Sequence, residues 1–383
     1  MLLSRKTKLN LTDAQKQLMS KHAGISRFTY NWGLATWTAL YKDGFKPNHF
    51  ILKKFFNNQV KTALPWIKEK GICQKITQYA FENLGKAFKN FFEKRGDYPR
   101  FKKKDINDSF TIDASGKHIP VGGKSIKLPT IGWVKTYECL PHTTCKSITI
   151  SKGAGDWYIA FTYDVVTESN IKSYPSVGVD LGIKTLATLS TGVVIENPKA
   201  YRKAKKLLAR RQRKLQRKQK ASHRYIKQKN LIAKTHKRVS DIRLDNTHKA
   251  TTDICKNHAV VAIEDLNVQG MLSNHKLAGA VSDANFYEFR RQLEYKCTKF
   301  GSKLVIVDRW YPSSKNCSNC GHKQEMPLKE RTFNCANCGH SLDRDLNAAI
   351  NLNNYARNTE GLPVSERGGL IAPTLPCETL NNV

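Results

Sequence analysis

The sequence predicts an α+β protein of several domains: a helical N-terminal region, a small antiparallel β-barrel, and an α/β region that carries a four-cysteine ribbon. Three observations predict it. Apolar residues recur at helical period through residues 11–95, short β-branched runs take over from Tyr98, and buried strands alternate with helical stretches from Val177 onward. A chain of 383 residues is long enough for two or three domains, and its 40% hydrophobic content can build real cores.

In the first region Leu18, Ile25, Phe28, Trp32, Ala35 and Leu40 keep a period near 3.6. Ile76, Tyr79, Ala80, Leu84, Ala87, Phe88 and Phe91 repeat it, which predicts a helical bundle whose lysines are left for phosphates. "YPRFKKKD" is a basic turn, with Arg100 and Lys102 as candidate nucleic-acid contacts. After it come "SFTIDA", "KSIKLP", "GWVKTY" and "KSITISKGAGDWYIAFTYDV", runs broken by Gly, Pro and Asp that predict the strands of a barrel. The N-terminal "LLSRKTKLN" is expected to complete it.

A linker, "TESNIKSYPS", leads into a three-stranded meander. Val177, Val179 and Leu181 lie on its first strand, Leu186 to Leu189 form the second, and the turn Ser190–Gly192 opens the third at Val193 to Ile195. Residues 199–249 follow as one long helix or a helical hairpin, and hold twenty Lys+Arg against only Asp241 and Asp245. An isolated helix so poor in acid repels itself at i,i+4. Lys205, Arg210, Arg213 and Lys214 are its candidate nucleic-acid contacts. A second buried strand, "AVVAIEDLN", a helix, "NFYEFRRQLEYKCTKFG", and a strand, "KLVIVD", come before the cysteines.

Charge narrows the class of partner. Sixty-five Lys+Arg against thirty-one Asp+Glu give a formal charge of +34, which calls for a polyanion. A membrane surface is the rival to nucleic acid, but the basic stretch lacks a broad Trp/Phe/Leu face. The N-terminus has no long apolar stretch, and no run of about eighteen apolar residues occurs, so a cytosolic or nucleoid-associated protein is expected. In a reducing compartment the ten cysteines are not expected to form disulfides.

Two groups of residues carry chemistry. Cys317-Ser-Asn-Cys320-Gly and Cys335-Ala-Asn-Cys338-Gly are two knuckles whose four thiolates make a closed shell for one structural Zn²⁺. The Gly after each pair suits a turn of positive φ, and His322 and His340 are expected to be spectators. The other six, Cys73, Cys139, Cys145, Cys255, Cys297 and Cys377, are scattered core or surface thiols.

The second group is acidic. Asp180 in "VGVDLG" and Glu264 in "VVAIEDL" sit at the ends of strands that should be buried, where an unpaired charge is costly without a cation. Asp345 opens the last helix and could point back toward the sheet. Three such acids can hold two Mg²⁺ about 4 Å apart and cleave a phosphodiester in line. Asp343 and Asp265 are the alternatives. Asp343 lies one step back in the loop, and strand alternation turns Asp265 to the opposite face from Glu264.

"GVDLGIKTLATLS", "VAIEDLNV", "CSNCG…CANCG" and "DRDLNAAINL", in that order, resemble the RuvC-like nuclease half of the TnpB (OrfB) family, which insertion-sequence transposons carry and which is related to type V CRISPR effectors. "TDAQKQLMSKHAGISRFTYNWGLA" and "AFENLGKAFKNFFEKRGDYPRFKKK" resemble the family's N-terminal half, so the likeness runs to about residue 357. The resemblance implies a Mg²⁺-dependent, RNA-guided DNA endonuclease. A guide noncoding RNA from the transposon end reads target double-stranded DNA by base pairing, and the protein reads a short flanking motif. With no heptad pattern, large apolar patch or apolar span in the sequence, a monomeric ribonucleoprotein without a membrane is expected.

The implied domains are a first wedge strand (1–10), a helical recognition domain (11–97), a wedge β-barrel (98–170) and an RNase H-like (RuvC) α/β nuclease domain. The nuclease domain runs over 176–312 with the basic helices 199–249, is interrupted by a zinc ribbon (313–341) and resumes at 342–357; a disordered tail (358–383) matches no motif. Motif by motif, Asp180, Glu264 and Asp345 take the catalytic, magnesium-binding places and the four cysteines the zinc places. Thr77, Gln78 and Thr111 fall near positions that read the flanking motif. Two other readings stay open: a transposase or integrase using the same metal chemistry for strand transfer, and a non-catalytic regulator that binds RNA or DNA.

Overall fold

A computed structural model describes residues 2–69, 71–114, 121–140, 145–165, 171–327 and 329–361. The chain divides into two compact units, residues 1–165 with 221–234, and residues 166–220 with 235–383.

The first unit opens with strand β1 (Leu2–Asn10), followed by helices α1 (Asp13–Lys42), α2 (His49–Phe55) and α3 (Ile76–Phe92). A capping box starts α1: Thr12 Oγ1 accepts from Gln15 N, and Gln15 Oε1 accepts from Thr12 N. Helices α1 and α3 meet where Gly33 leaves room for Leu84 and Phe81; a Cβ at Gly33 would lie 2.8 Å from Leu84 Cδ2. Trp37 stacks on Phe88 at 4.1 Å nearby.

Six further strands follow, β2 (Ser109–Asp113), β3 (Val121–Gly122), β4 (Ser125–Leu128), β5 (Gly132–Thr136), β6 (Cys145–Gly153) and β7 (Asp156–Asp164). With β1 they form an antiparallel sheet of order β2-β6-β7-β1-β5-β4-β3. The N-terminal strand is central: its residues 2–8 pair with β7 and 9–10 with β5. The strands expected of the barrel are thus hydrogen-bonded into one seven-stranded sheet, and among the described residues no ladder joins β2 to β3.

The second unit is mixed α/β. Strands β8 (Tyr174–Leu181), β9 (Thr185–Leu189), β10 (Val194–Glu196), β11 (His258–Glu264) and β12 (Lys303–Val307) form one sheet in the order β10-β9-β8-β11-β12. β8, β11 and β12 run parallel, and β9 and β10 complete the meander antiparallel. Between them in sequence lie helices α4 (Ala200–Gln216), α5 (His223–Asn257), of which the residues up to 234 belong to the first unit, α6 (Val268–Ser273), α7 (Ala278–Ala284) and α8 (Phe286–Phe300). The basic segment is thus two helices, the second running to Asn257, beyond the expected end at 249. Asp283 accepts from Tyr201 N and Arg202 N and so caps α4, whose own N-cap position is held by Lys199.

The chain closes with a hairpin, β13 (Thr332–Asn334) and β14 (Ser341–Asp343), and helix α9 (Arg344–Thr359). Residues 358 and 359 are helical rather than part of a tail, because the ladder continues and Thr359 Oγ1 donates to Tyr355 O. The rest of the expected tail, from 362, and Cys377 lie outside the described residues. The sheet separates two apolar layers. Val177, Val179, Val261 and Ile263 face Ile254, Phe289 and Leu293, whereas Val260 and Ala262 face Leu352 and Ala356 of α9.

Candidate active site and metal centre

Strand alternation aims the first two acids. Gly178 and Asp180 share one face of β8, and Val260, Ala262 and Glu264 share one face of β11; both are the face that α9 covers. The β8–β11 register pairs Val179 with Ile263, so one step further brings Glu264 level with Asp180. Asp265 then turns to the other face, where the guanidinium groups of Arg290 and Arg309 bind it and hold its carboxyl below the usual range.

Helix α9 brings the third acid. Asp343 caps it, accepting from Asp345 N at 2.9 Å and Leu346 N at 3.1 Å, which leaves the Asp345 side chain free of the capping role. α9 lies so close to β8 that a Cβ on Gly178 would sit 1.9 Å from Ala349 O. Asp345 is one helical turn before Ala349, and Asp180 is two residues beyond Gly178, so that contact sets the two carboxylates at the same end. Gly178→Ala is therefore expected to push α9 off the sheet at a cost of about 3 kcal/mol or more. A thermal melt checks this, since an unchanged midpoint would mean that the contact is not tight.

The three acids line one cavity of about 790 Å³. Burial and the neighbouring Asp345 and Glu264 carboxylates push Asp180 up to about 7, against a smaller opposing pull from Arg344. Glu264 is raised too, mainly by burial. Among the described residues no N–H or O–H donates to either side chain. Asp345 has Arg331 at 3.9 Å. Buried like charges without donors fit hard divalent cations, which take oxygen ligands and relieve the repulsion.

The cysteines form a second, separate cluster. All four Sγ atoms lie within 4.8 Å of one another, and the Cys317–Cys338 and Cys320–Cys335 distances are 3.7 Å and 3.6 Å. A tetrahedral Zn–S shell has edges of about 3.8 Å, so the thiols fit zinc. The knuckles are built alike: Cys317 N donates to His322 O and Cys335 N to His340 O, while Gly321 and Gly339 take φ of +74° and +68°. Backbone amides of His322 and His340 lower the thiols of Cys320 and Cys338, which favours thiolate. His322 and His340 thus contribute backbone, and their rings stay outside the cluster.

Sequence reasoning missed the residues that tie this ribbon to the acids. Asn347, fully buried, donates to Asn316 O at 2.8 Å and accepts from Ser318 N at 2.9 Å. Asn351 donates to Ser313 O and Asn316 O, each at 2.7 Å. α9 thereby grips the first knuckle with two side chains while its first turn carries Asp345. The signal was present, since two Asn at i,i+4 inside the apolar "LNAAINL" must find partners when buried.

The expected nucleic-acid contacts fare unevenly. Thr77 is a correction: it is 3% exposed and its hydroxyl donates to Gln74 O, so the side chain does not face solvent. Lys102 is half-buried, its ammonium lies over the Tyr30 ring at 4.2 Å, and burial lowers its pKa. Gln78 donates to Glu82, the Thr111 hydroxyl meets that of Thr149 at 3.1 Å, and exposed Arg100 pairs with Asp97. Lys205, Arg210, Arg213 and Lys214 are exposed along α4. Of the scattered cysteines, Cys255 and Cys297 face each other in the core with sulfurs 3.5 Å apart.

Comparison with known proteins now bears on this site. Residues 161–275 match the IS605 OrfB family, described as "Probable transposase". "Putative RNA-guided DNA endonuclease InsQ" of Escherichia coli (strain K12) is 35% identical over 360 residues, covering 87% of each chain. The chain belongs to the TnpB (OrfB) family. Another relative, "Putative RNA-guided DNA endonuclease" of Streptomyces pristinaespiralis, is 36% identical over 351 residues, covering 89% of this chain and 86% of that one.

Residues 286–352, which hold the ribbon and most of α9, match a "Cas12f1-like, TNB domain". Residues 1–46 match a "Helix-turn-helix domain", although this TnpB-family chain forms there one strand and one 30-residue helix. In fold it resembles the protein of a Cas12f1–sgRNA–target DNA complex, with a TM-score of 0.57 at 14% identity over 90% of this chain and 83% of that one.

Proposed function

We propose that this chain is an RNA-guided DNA endonuclease that hydrolyses target phosphodiesters at Asp180, Glu264 and Asp345. The observation that carries the proposal is the convergence of these acids, from two adjacent strand ends and a helix start, on one cavity. Relatives named as RNA-guided DNA endonucleases, spanning nearly the same length, support it. In this reading the second unit is a RuvC-like nuclease with an inserted zinc ribbon, and the first supplies the recognition helices and the wedge sheet.

Asp180, Glu264 and Asp345 would hold two magnesium ions, and Cys317, Cys320, Cys335 and Cys338 one zinc ion. When bound, a magnesium pair supplies an activated water and neutralises charge on the leaving oxygen. Asp180, pushed up to about 7, would bind the cation in its deprotonated form. Glu264 and Asp345, fixed on separate elements, would complete the oxygen ligands from the other two sides of the cavity. Lys184, Arg309, Lys315 and Arg344 line the same cavity and raise the local concentration of the polyanion. The exposed cations of α4 add affinity for RNA or DNA backbone without reading sequence.

The test is to purify the protein with RNA from its native locus, sequence that RNA, and supply a matched DNA target with Mg²⁺. Cleavage that requires both the matched guide and a flanking motif is expected. Cleavage indifferent to the guide would overturn the proposal, and joined transposon ends formed without RNA would favour strand transfer instead. Among the described residues no helix is long and apolar enough to cross a membrane.

A further inference from the structure

Trp310 is 84% exposed, the most exposed aromatic side chain among the described residues, and it lines the same cavity as Asp180, Glu264 and Asp345. An exposed ring beside the three acids offers a free aromatic face to whatever occupies that cavity.

The segment that carries it is braced on every side. Asp308 accepts from Trp310 N at 2.8 Å through its carboxylate and from Tyr311 N at 3.0 Å through its carbonyl. Arg309, the preceding residue, is tied to Asp265 at the end of β11. Tyr311, the following residue, is half-buried, packs edge-on against Tyr355 at 5.0 Å and reaches Asn351 O with its hydroxyl. Thus a fixed turn presents one indole to the cavity while both neighbours are held by the sheet and α9. Rigid placement matters, because a stacking surface that must first be ordered loses much of its gain.

We infer that Trp310 is a stacking platform for a nucleobase of the DNA strand beside the scissile phosphate. The inference rests on the proposed nuclease reading and adds to it a residue that positions the substrate. An indole face suits any base, so the contact is sequence-tolerant, as a guided enzyme requires at its cutting site. The cations around it, Arg309, Lys184 and Arg344, would hold the flanking phosphates while the ring fixes the base plane. Stacking of this kind is lost with alanine and largely kept with another aromatic.

The test uses the ribonucleoprotein with a guide-matched duplex carrying 2-aminopurine beside the cut site, with Ca²⁺ in place of Mg²⁺ for the binding arm. In the wild type the probe is expected to be quenched by the indole. In Trp310→Ala the quenching disappears and the single-turnover cleavage rate falls about 10-fold or more. Trp310→Phe recovers most of that rate. Target affinity, which guide pairing dominates, and the melting temperature stay unchanged, because the ring is not part of the core. Wild-type cleavage rate and undiminished quenching in Trp310→Ala overturn the inference, as they would if the ring served a protein partner or another segment of this chain. Should the wild type fail to cut matched DNA at all, the nuclease reading fails separately. Quenching of a single-stranded 2-aminopurine oligonucleotide by wild type but not by Trp310→Ala then supports the stacking role, and its absence overturns it.

Discussion

Asp180→Asn is expected to abolish DNA cleavage and, in metal-free protein above pH 7, to raise thermal stability. The two effects share one cause. Asp180 is held up to about 7 by burial and by two nearby carboxylates, an arrangement that suits a bound cation and is unfavourable without one. The folded protein keeps a proton on Asp180 that the unfolded chain gives up near 3.8. Metal-free stability therefore falls as pH rises from about 4 through about 7 and is level above that, by on the order of 4 kcal/mol. Asparagine removes that slope, so a melt of the two proteins in EDTA at pH 5 and pH 8 reads it directly. Equal pH dependence in both would show that Asp180 is not the stressed group. Single-turnover cleavage in Mg²⁺ should fall by roughly a thousandfold or more if the side chain is a ligand of the reacting metals.

The second large effect concerns the zinc proposed for the four cysteines. Stripping it with a chelator, or Cys335→Ser, is expected to cost cleavage at least tenfold although no cysteine touches the acids. The ribbon acts through α9, because Asn347 and Asn351 hold the first knuckle and Asp345 lies in the same helix's first turn. Zinc sites of this closed type supply folding energy outright, so the knuckles loosen when the metal leaves. Hydrogen exchange should rise over β13, β14 and the first turns of α9 and stay slow in β8 and β11. Full cleavage by zinc-free protein would separate the ribbon from the active site.

How far the sequence foretells this depends on the range of the interaction. The two CxxCG knuckles are local, and their spacing is enough to bring four sulfurs together. The acids at strand ends are half-local: alternation within each strand predicts the face of Asp180 and Glu264, but not which strands are neighbours. The register that levels them comes from β8 pairing with β11 across 84 residues of sequence. The placement of Asp345 depends on a close approach at Gly178 that nothing in the local pattern marks as different from any other strand glycine.

Other placements depend on range in the same way. Strand composition marks the strands of the first unit but not their spatial order β2-β6-β7-β1-β5-β4-β3. The family resemblance points to Thr77, and the basic turn to Lys102, without showing how either side chain packs. Tertiary packing put the first in the core and laid the second across Tyr30. Trp310 carries no local signal, since only the fold leaves its indole in solvent.

The central claim is that Asp180, Glu264 and Asp345 together hold a pair of divalent ions. Anomalous scattering from crystals grown with Mn²⁺ tests it most directly. The account predicts two manganese peaks in the cavity, ligated by these three carboxylates. Manganese bound elsewhere, or a cavity without manganese at saturating concentration, would contradict it.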